Sequence, residues 1–202
     1  HLFLPRKEAK AMALAMLEAV QIPDPTRRFR AYPHELSGGM AQRVVMAIAL
    51  ICSPRFIISD DATSGLDVTV QTQVLELLQD LVQQQDASML FITRDIGITA
   101  HYCHQVAVIY SGEIVELAEV RSFFNNPQHP YSVMLLSAFS HNPKLRGMWS
   151  KPLDAVSESE TEVGCLFAPR CVRASDKCRE EHPVLHETGP NHGVRCHHPV
   201  ER

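Results

Sequence analysis

Two adjacent carboxylates, Asp60 and Asp61, end the apolar run "FIIS" at residues 56–59 and lead into the small, turn-prone segment "ATSGLD". Acids delivered at the carboxyl end of a short buried strand can hold a hydrated cation and take a proton from water. Upstream, "LSGG" at residues 36–39 places a hydroxyl at Ser37 and unhindered backbone N–H groups at Gly38 and Gly39 at the start of a long apolar-periodic run. Such a helix entrance binds anions, because orphan N–H groups and the helix dipole point the same way. Ser37 could donate to a phosphate oxygen or simply cap the helix. A third group, Cys165, Cys171, Cys178 and Cys196, crowds the last forty or so residues.

These residues need a scaffold, and the chain has the composition for one. It has 202 residues, 45% hydrophobic and 21% charged, with a formal net charge of −4. That is an ordinary globular composition, and the acidic balance argues against nucleic acid as a partner. The longest apolar run, "VVMAIALIC" at 44–52, is too short to cross a bilayer. The first residue is His1, which reads as a chain beginning inside a larger protein. The spacing predicts a helix over residues 6–20, a second from the glycines to Pro54, a strand "RFIIS", and a long helix "VTVQTQVLELLQDLVQQQ". A strand "SMLFIT", a short helix "DIGITAHYC" and a strand "QVAVIY" follow, after which Ser111 and Gly112 turn the chain into "EIVELA". This alternation predicts an α/β sheet with parallel pairings. Cys52 and Cys103, alone in apolar surroundings, are expected in the core.

"LSGGMAQR", then "FIISDD" and "ATSGLD", then a strand and "TRD", together resemble an ATP-binding cassette across essentially the whole chain. The resemblance implies a partial cassette domain, a helical subdomain at 1–53 and part of the catalytic core at 54–140. A linker at 141–163 and a small Cys-rich appendage at 164–202 would follow. It also implies that Ser37, Gly38 and Gly39 touch the γ-phosphate of ATP bound to an opposing subunit, with Gln42 and Arg43 extending the signature helix. Asp60 would hold Mg²⁺ through water, Asp61 would be the catalytic base, and the loop from Ser64 to Asp67 would let the two subunits sense each other. Arg94 stands where the family has a switch histidine, and Asp61 where it has Glu. Asp is one methylene shorter, and a misplacement of about 1 Å can cost roughly 100-fold in rate. Arg carries no acceptor and does not deprotonate, so it cannot relay a proton as neutral His does. The expectation is therefore a weakened site on this chain and an intact signature completing a partner's site. Ala62 in place of the family's Pro is a smaller departure.

"DVTVQ", "HPYS" at 129–132 and "CLFAPRC" resemble, more narrowly, the ATPase subunits of dipeptide and oligopeptide importers. That implies a second ATPase subunit in a heterodimer, transmembrane permease subunits, indirectly a peptide-binding protein, and a peripheral place on the cytoplasmic face of the cell membrane. The family's glycine-rich phosphate loop is not in these residues, so the chain alone is expected to be inactive. A non-hydrolysing regulatory subunit and a DNA-repair cassette are the alternatives. In the tail the gaps between cysteines are five, six and seventeen residues. Structural zinc normally uses closer pairs, whereas four thiolates can hold a [4Fe-4S] cluster on irregular loops, as the resemblance implies. Zinc and disulfides are the alternatives, and His197 and His198 are expected to be solvated surface residues.

Overall fold

The computed structural model describes residues 3–63, 65–139 and 163–200, in two compact units that meet at Arg94 and Asp95. The first unit opens with α1 (Arg6–Ala19), a short α2 (Pro25–Arg28) and a 3₁₀ turn at Pro33–Glu35. Then come α3 (Gly38–Leu50), β1 (Phe56–Asp60), α4 (Val68–Gln84) and β2 (Ser88–Ile92). The expected periodicities are realised: α4 buries Val74, Leu77, Leu78 and Leu81, and these pack with Met46, Ala47 and Leu50 of α3 and with Val20, Ile22 and Ile57. Removing such a stripe from water is what holds the helices on the core.

β1 and β2 pair in parallel, Phe56 opposite Ser88 and Asp60 opposite Ile92. Strict alternation sends Ile57 inward, while Phe56, Ile58, Leu90 and Ile92 stay exposed. Cys52, expected in the core, is exposed. It extends the outward row of α3 formed by Val45, Ile48 and Ala49, at helical spacing from them.

The second unit contains α5 (Ile96–Tyr102), β3 (Gln105–Tyr110), β4 (Glu113–Glu119), α6 (Val120–Asn125) and α7 (Pro130–Phe139). Beyond residue 162 it adds a 3₁₀ turn at Ala168–Arg170, α8 (Asp176–Glu180), β5 (His186–Gly189) and β6 (His192–Val194). Its sheet has the order β3-β4-β6-β5 and every pairing is antiparallel. The parallel arrangement expected throughout therefore stops at β2. The reason is local: Ser111 and Gly112 both take positive φ, 48° and 84°, which is the backbone of a tight hairpin turn. Val106, Val108, Val115, Ala118 and Phe123 form the core of this unit. The linker and its "SESETE" run at 141–162 lie outside the described residues, as does Ser64.

Candidate functional site

Ser37 is the N-cap of α3. Its Oγ accepts from the Met40 N–H at 3.4 Å, and Gly38 and Gly39 are the first two helical residues. The capping role is thus realised in the structure, and the glycine N–H groups lie in the helix's first turn, where none has an intrahelical acceptor. Gly39 sits close to α4, where a Cβ would come within 3.0 Å of Val70 Cγ1. Gln42 is half-buried one turn on. Arg43 does not project toward an anion: its Nη1 donates to Val20 O at 3.2 Å and to Gln21 Oε1 at 3.0 Å, tying α3 to the end of α1.

Asp60 closes β1 with its side chain exposed. Asp61 follows in a left-handed conformation, φ 46°, and its N–H donates to Ile92 O of β2 at 2.9 Å. Asp is among the residues that tolerate this region. Arg94 lies just past β2, and its Nη2 donates to Asp61 Oδ2 at 2.7 Å. The sequence singled out both residues, and the parallel pairing of β1 with β2 brings them together from 33 positions apart. The ion pair is open to water, with side-chain exposures of 83% and 40%.

Asp67, expected in the loop that senses a second subunit, caps α4 by accepting from Val70 N–H at 3.0 Å. The sequence reading missed Gln71, whose Nε2 donates to the buried Thr63 hydroxyl at 3.1 Å and fastens the loop after Asp61 to α4. Its only advance signal was its place in "DVTVQ".

In the second unit Cys165, Cys171, Cys178 and Cys196 line one small cavity together with His129, His197 and His198. The expected [4Fe-4S] cluster, and zinc with it, is corrected by the structure. Among the described residues no group of three or more His, Cys, Asp or Glu side chains is arranged to hold a metal ion. Burial pushes the Cys165 and Cys171 thiols up, and that of Cys196 up to about 12. The four remain free thiols. Nor are His197 and His198 merely solvated: their Nε2 atoms bond Glu181 O at 2.9 Å and Ser175 Oγ at 2.8 Å.

The tail is anchored instead by a buried acid that the sequence reading passed over. Glu116, fully buried on β4, accepts from Gln128 N–H and His129 N–H, each at 2.8 Å, and from His192 Nε2 at 2.7 Å. The other ring nitrogen of His192, Nδ1, lies 2.9 Å from the Ser122 hydroxyl. His129, 1% exposed, accepts the Tyr131 N–H on Nδ1 at 3.1 Å, and burial lowers its pKa to about 4. Phe167 completes the junction between the tail and the HPYS segment, its ring centroid 5.2 Å from Tyr110 and 5.5 Å from Tyr131.

Two family models match the chain, "ABC transporter" over residues 4–64 and "Oligopeptide/dipeptide transporter, C-terminal region" over residues 115–178. The "Probable peptide ABC transporter ATP-binding protein" of Sinorhizobium fredii is 45% identical over 193 residues, covering 95% of this chain and 58% of that protein. The dipeptide transport ATP-binding protein DppD of Escherichia coli is 39% identical over 191 residues, covering 94% and 58%. The chain thus spans under two thirds of the length of these relatives. Among solved structures, the dimeric structure of a bacterial ABC transporter cassette aligns with TM-score 0.52 and 26% identity over 60% of this chain and 51% of that one. CbiO1 of Clostridium perfringens, part of an ABC transporter complex, aligns with TM-score 0.55 and 26% identity over 62% and 49%. The helix entrance and the acidic strand end fall within the first matched region and part of the C-terminal region within the second, and over most of its length the chain is similar to ABC transporter ATP-binding proteins, those of peptide transporters among them.

Proposed function

We propose that this chain is part of the ATP-binding, ATP-hydrolysing subunit that energises a dipeptide or oligopeptide importer. Its own site is weakened, and its signature helix completes the site of a different partner subunit. Ser37, Gly38, Gly39 and Gln42 then serve nucleotide held by the partner, while Asp60, Asp61 and Asp67 serve this chain's side of the dimer. Asp60 offers oxygen ligands suited to Mg²⁺, which supplies charge neutralisation on the phosphates when bound. Permease subunits and, through them, a peptide-binding protein are the remaining partners. No helix among the described residues is long and apolar enough to span a bilayer, which fits a peripheral subunit on the cytoplasmic face. The organisation proposed is a cassette part at 1–140, a linker at 141–163 and a Cys-rich region from 164 that adds strands to the sheet of the preceding part. The 202 residues contain no glycine-rich loop with its lysine, so by themselves they are inactive in this reading.

The observation that carries the asymmetry is the 2.7 Å contact between Arg94 and Asp61. It engages the carboxylate expected to take a proton from water, and the engaging group cannot give that proton up. The same contact favours a second reading, a subunit that binds nucleotide without useful turnover. Steady-state ATP turnover of the assembled importer separates them: Asp61→Asn should lower turnover only slightly, while the matching substitution in the partner removes most of it. Loss of turnover with Asp61→Asn and a harmless partner substitution would overturn the asymmetry. No change at all with Asp61→Asn would establish the non-hydrolysing subunit.

A further inference from the structure

We infer that the first unit carries a basic and aromatic face, built from the start of α1 and the turn after α2, that rests on anionic phospholipid headgroups. This rests on the proposed reading of the chain as part of a peripheral subunit of a membrane transporter, and gives that subunit a contact besides the permease.

Charge is unevenly placed along the chain. Residues 3–34 carry six Lys and Arg against three Asp and Glu, although the formal net charge of the whole is −4. Five of the six, Arg6, Lys7, Lys10, Arg27 and Arg30, are exposed. Among the described residues none of the six is in an ion pair. The two stretches are neighbours in space: α1 packs on α2, and Lys10 Nζ stands 5.8 Å from the centroid of the Phe29 ring. Phe29 is 40% exposed and Tyr32 67%. Tyr32 stacks on His34 with ring centroids 5.7 Å apart and planes 7° from parallel.

The sixth cation and the acid that follows are used within the turn. Arg28 Nη1 donates to Glu35 O at 3.4 Å, and the Glu35 carboxylate accepts the Tyr32 N–H at 2.7 Å. The main chain closes on itself beside them, Arg30 N–H on Arg27 O at 3.2 Å and Ala31 N–H on Arg28 O at 3.0 Å. The rings and the exposed cations are thus displayed on ordered backbone. Glu8 and Asp24 are the exposed acids that remain in this stretch, and they leave the cations in excess.

A surface of this composition suits a charged lipid interface. Guanidinium forks match phosphate oxygens two at a time, lysines add point charges, and aromatic rings settle at the level of the headgroups. Each Lys or Arg brought near an anionic leaflet strengthens binding about fivefold. The remaining residues carry more Asp and Glu than Lys and Arg, which opposes a nucleic acid that wraps the chain. A planar membrane need meet only this one face.

The test uses the full-length subunit, purified without its permease, and co-sedimentation with vesicles of phosphatidylcholine alone or mixed with phosphatidylglycerol. Binding should be confined to the mixed vesicles and should be released by added salt. Lys10→Gln combined with Arg27→Gln and Arg30→Gln should weaken it about a hundredfold, and Tyr32→Ser several-fold with the salt dependence retained. Absence of binding, equal binding to neutral vesicles, or an unchanged triple variant would overturn the lipid contact. So would a triple variant that still binds mixed vesicles but no longer co-purifies with the permease, since the face would then be a protein contact. A subunit that binds the mixed vesicles yet assembles with no permease would keep the face and remove the reading of the subunit. The substituted side chains are exposed, so thermal unfolding of each variant should match that of the unsubstituted protein.

Discussion

The protein holds two acid–base contacts at the same 2.7 Å and treats them in opposite ways. Asp61 and Arg94 meet in water at the end of a parallel strand pair. Glu116 and His192 meet in the interior, with side chains 0% and 4% exposed. In water the attraction is screened and each partner can be solvated alone, so the contact is cheap to break and suited to exchange. Inside, neither group has an alternative, and Glu116 must satisfy its lone pairs with the Gln128, His129 and His192 donors. The distance is the same, but solvent access decides which contact can exchange partners and which fastens the tail.

Glu116→Ala should have the largest effect, since it strands the N–H groups of Gln128, His129 and His192 in the interior. The expected loss is about 3–5 kcal/mol, with the tail strands losing protection first, as followed by urea unfolding and hydrogen exchange. Acid comes next. His129 binds its proton at about pH 4 in the folded protein against an ordinary value near 6.5, so the unfolded chain takes up the proton first. Stability should be full above pH 6.5 and fall by roughly 3 kcal/mol as the pH drops to 4, and His129→Leu should flatten that slope in thermal unfolding. Gly164→Ala should cost about 2 kcal/mol, because a Cβ there would lie 2.5 Å from the main-chain oxygens of Cys178 and Arg179. Its signature is loosening of the loop in which Cys165 N–H donates to Cys178 O, read by thiol alkylation of Cys178. Smallest of all, Arg94→Ala should change stability by well under ~1 kcal/mol in the same unfolding assay. A larger loss would mean that the exposed pair is structural after all, and the contrast between the two regions would fail.

Much of this was legible from residues alone. The i, i+3, i+4 rows of α1, α3 and α4 and the β-rich runs of β1, β2 and β3 announce themselves by period, and Asp60, Asp61 and Arg94 by motif. What periodicity could not convey was direction and context. "QVAVIY" and "EIVELA" read as strands of either sense, and only the positive φ at Ser111 and Gly112 makes them a hairpin. β5 and β6, "HETG" and "HGV", carry almost no apolar signal because they are strands by pairing onto β4 and not by their own preference. Glu116 was passed over, because a charged residue within a strand carries no mark of burial in its type. Its neighbour Val115 is also buried, so both faces of β4 are covered there, and a two-period pattern cannot announce that. The four tail cysteines show the converse limit. They line one cavity, but their types and spacing pointed to a cluster that the structure does not support.

The pairing of β4 with β6 joins residues 76 positions apart, as Glu116 and His192 mark. During synthesis, at 5–20 residues per second, β4 leaves the ribosome on the order of ten seconds before its neighbour exists. For that interval it is an open edge beside Leu117, able to zip onto any passing strand. The nascent chain is thus most vulnerable to misassembly until the β6 segment has been made, and delaying or deleting that segment should send it toward aggregates.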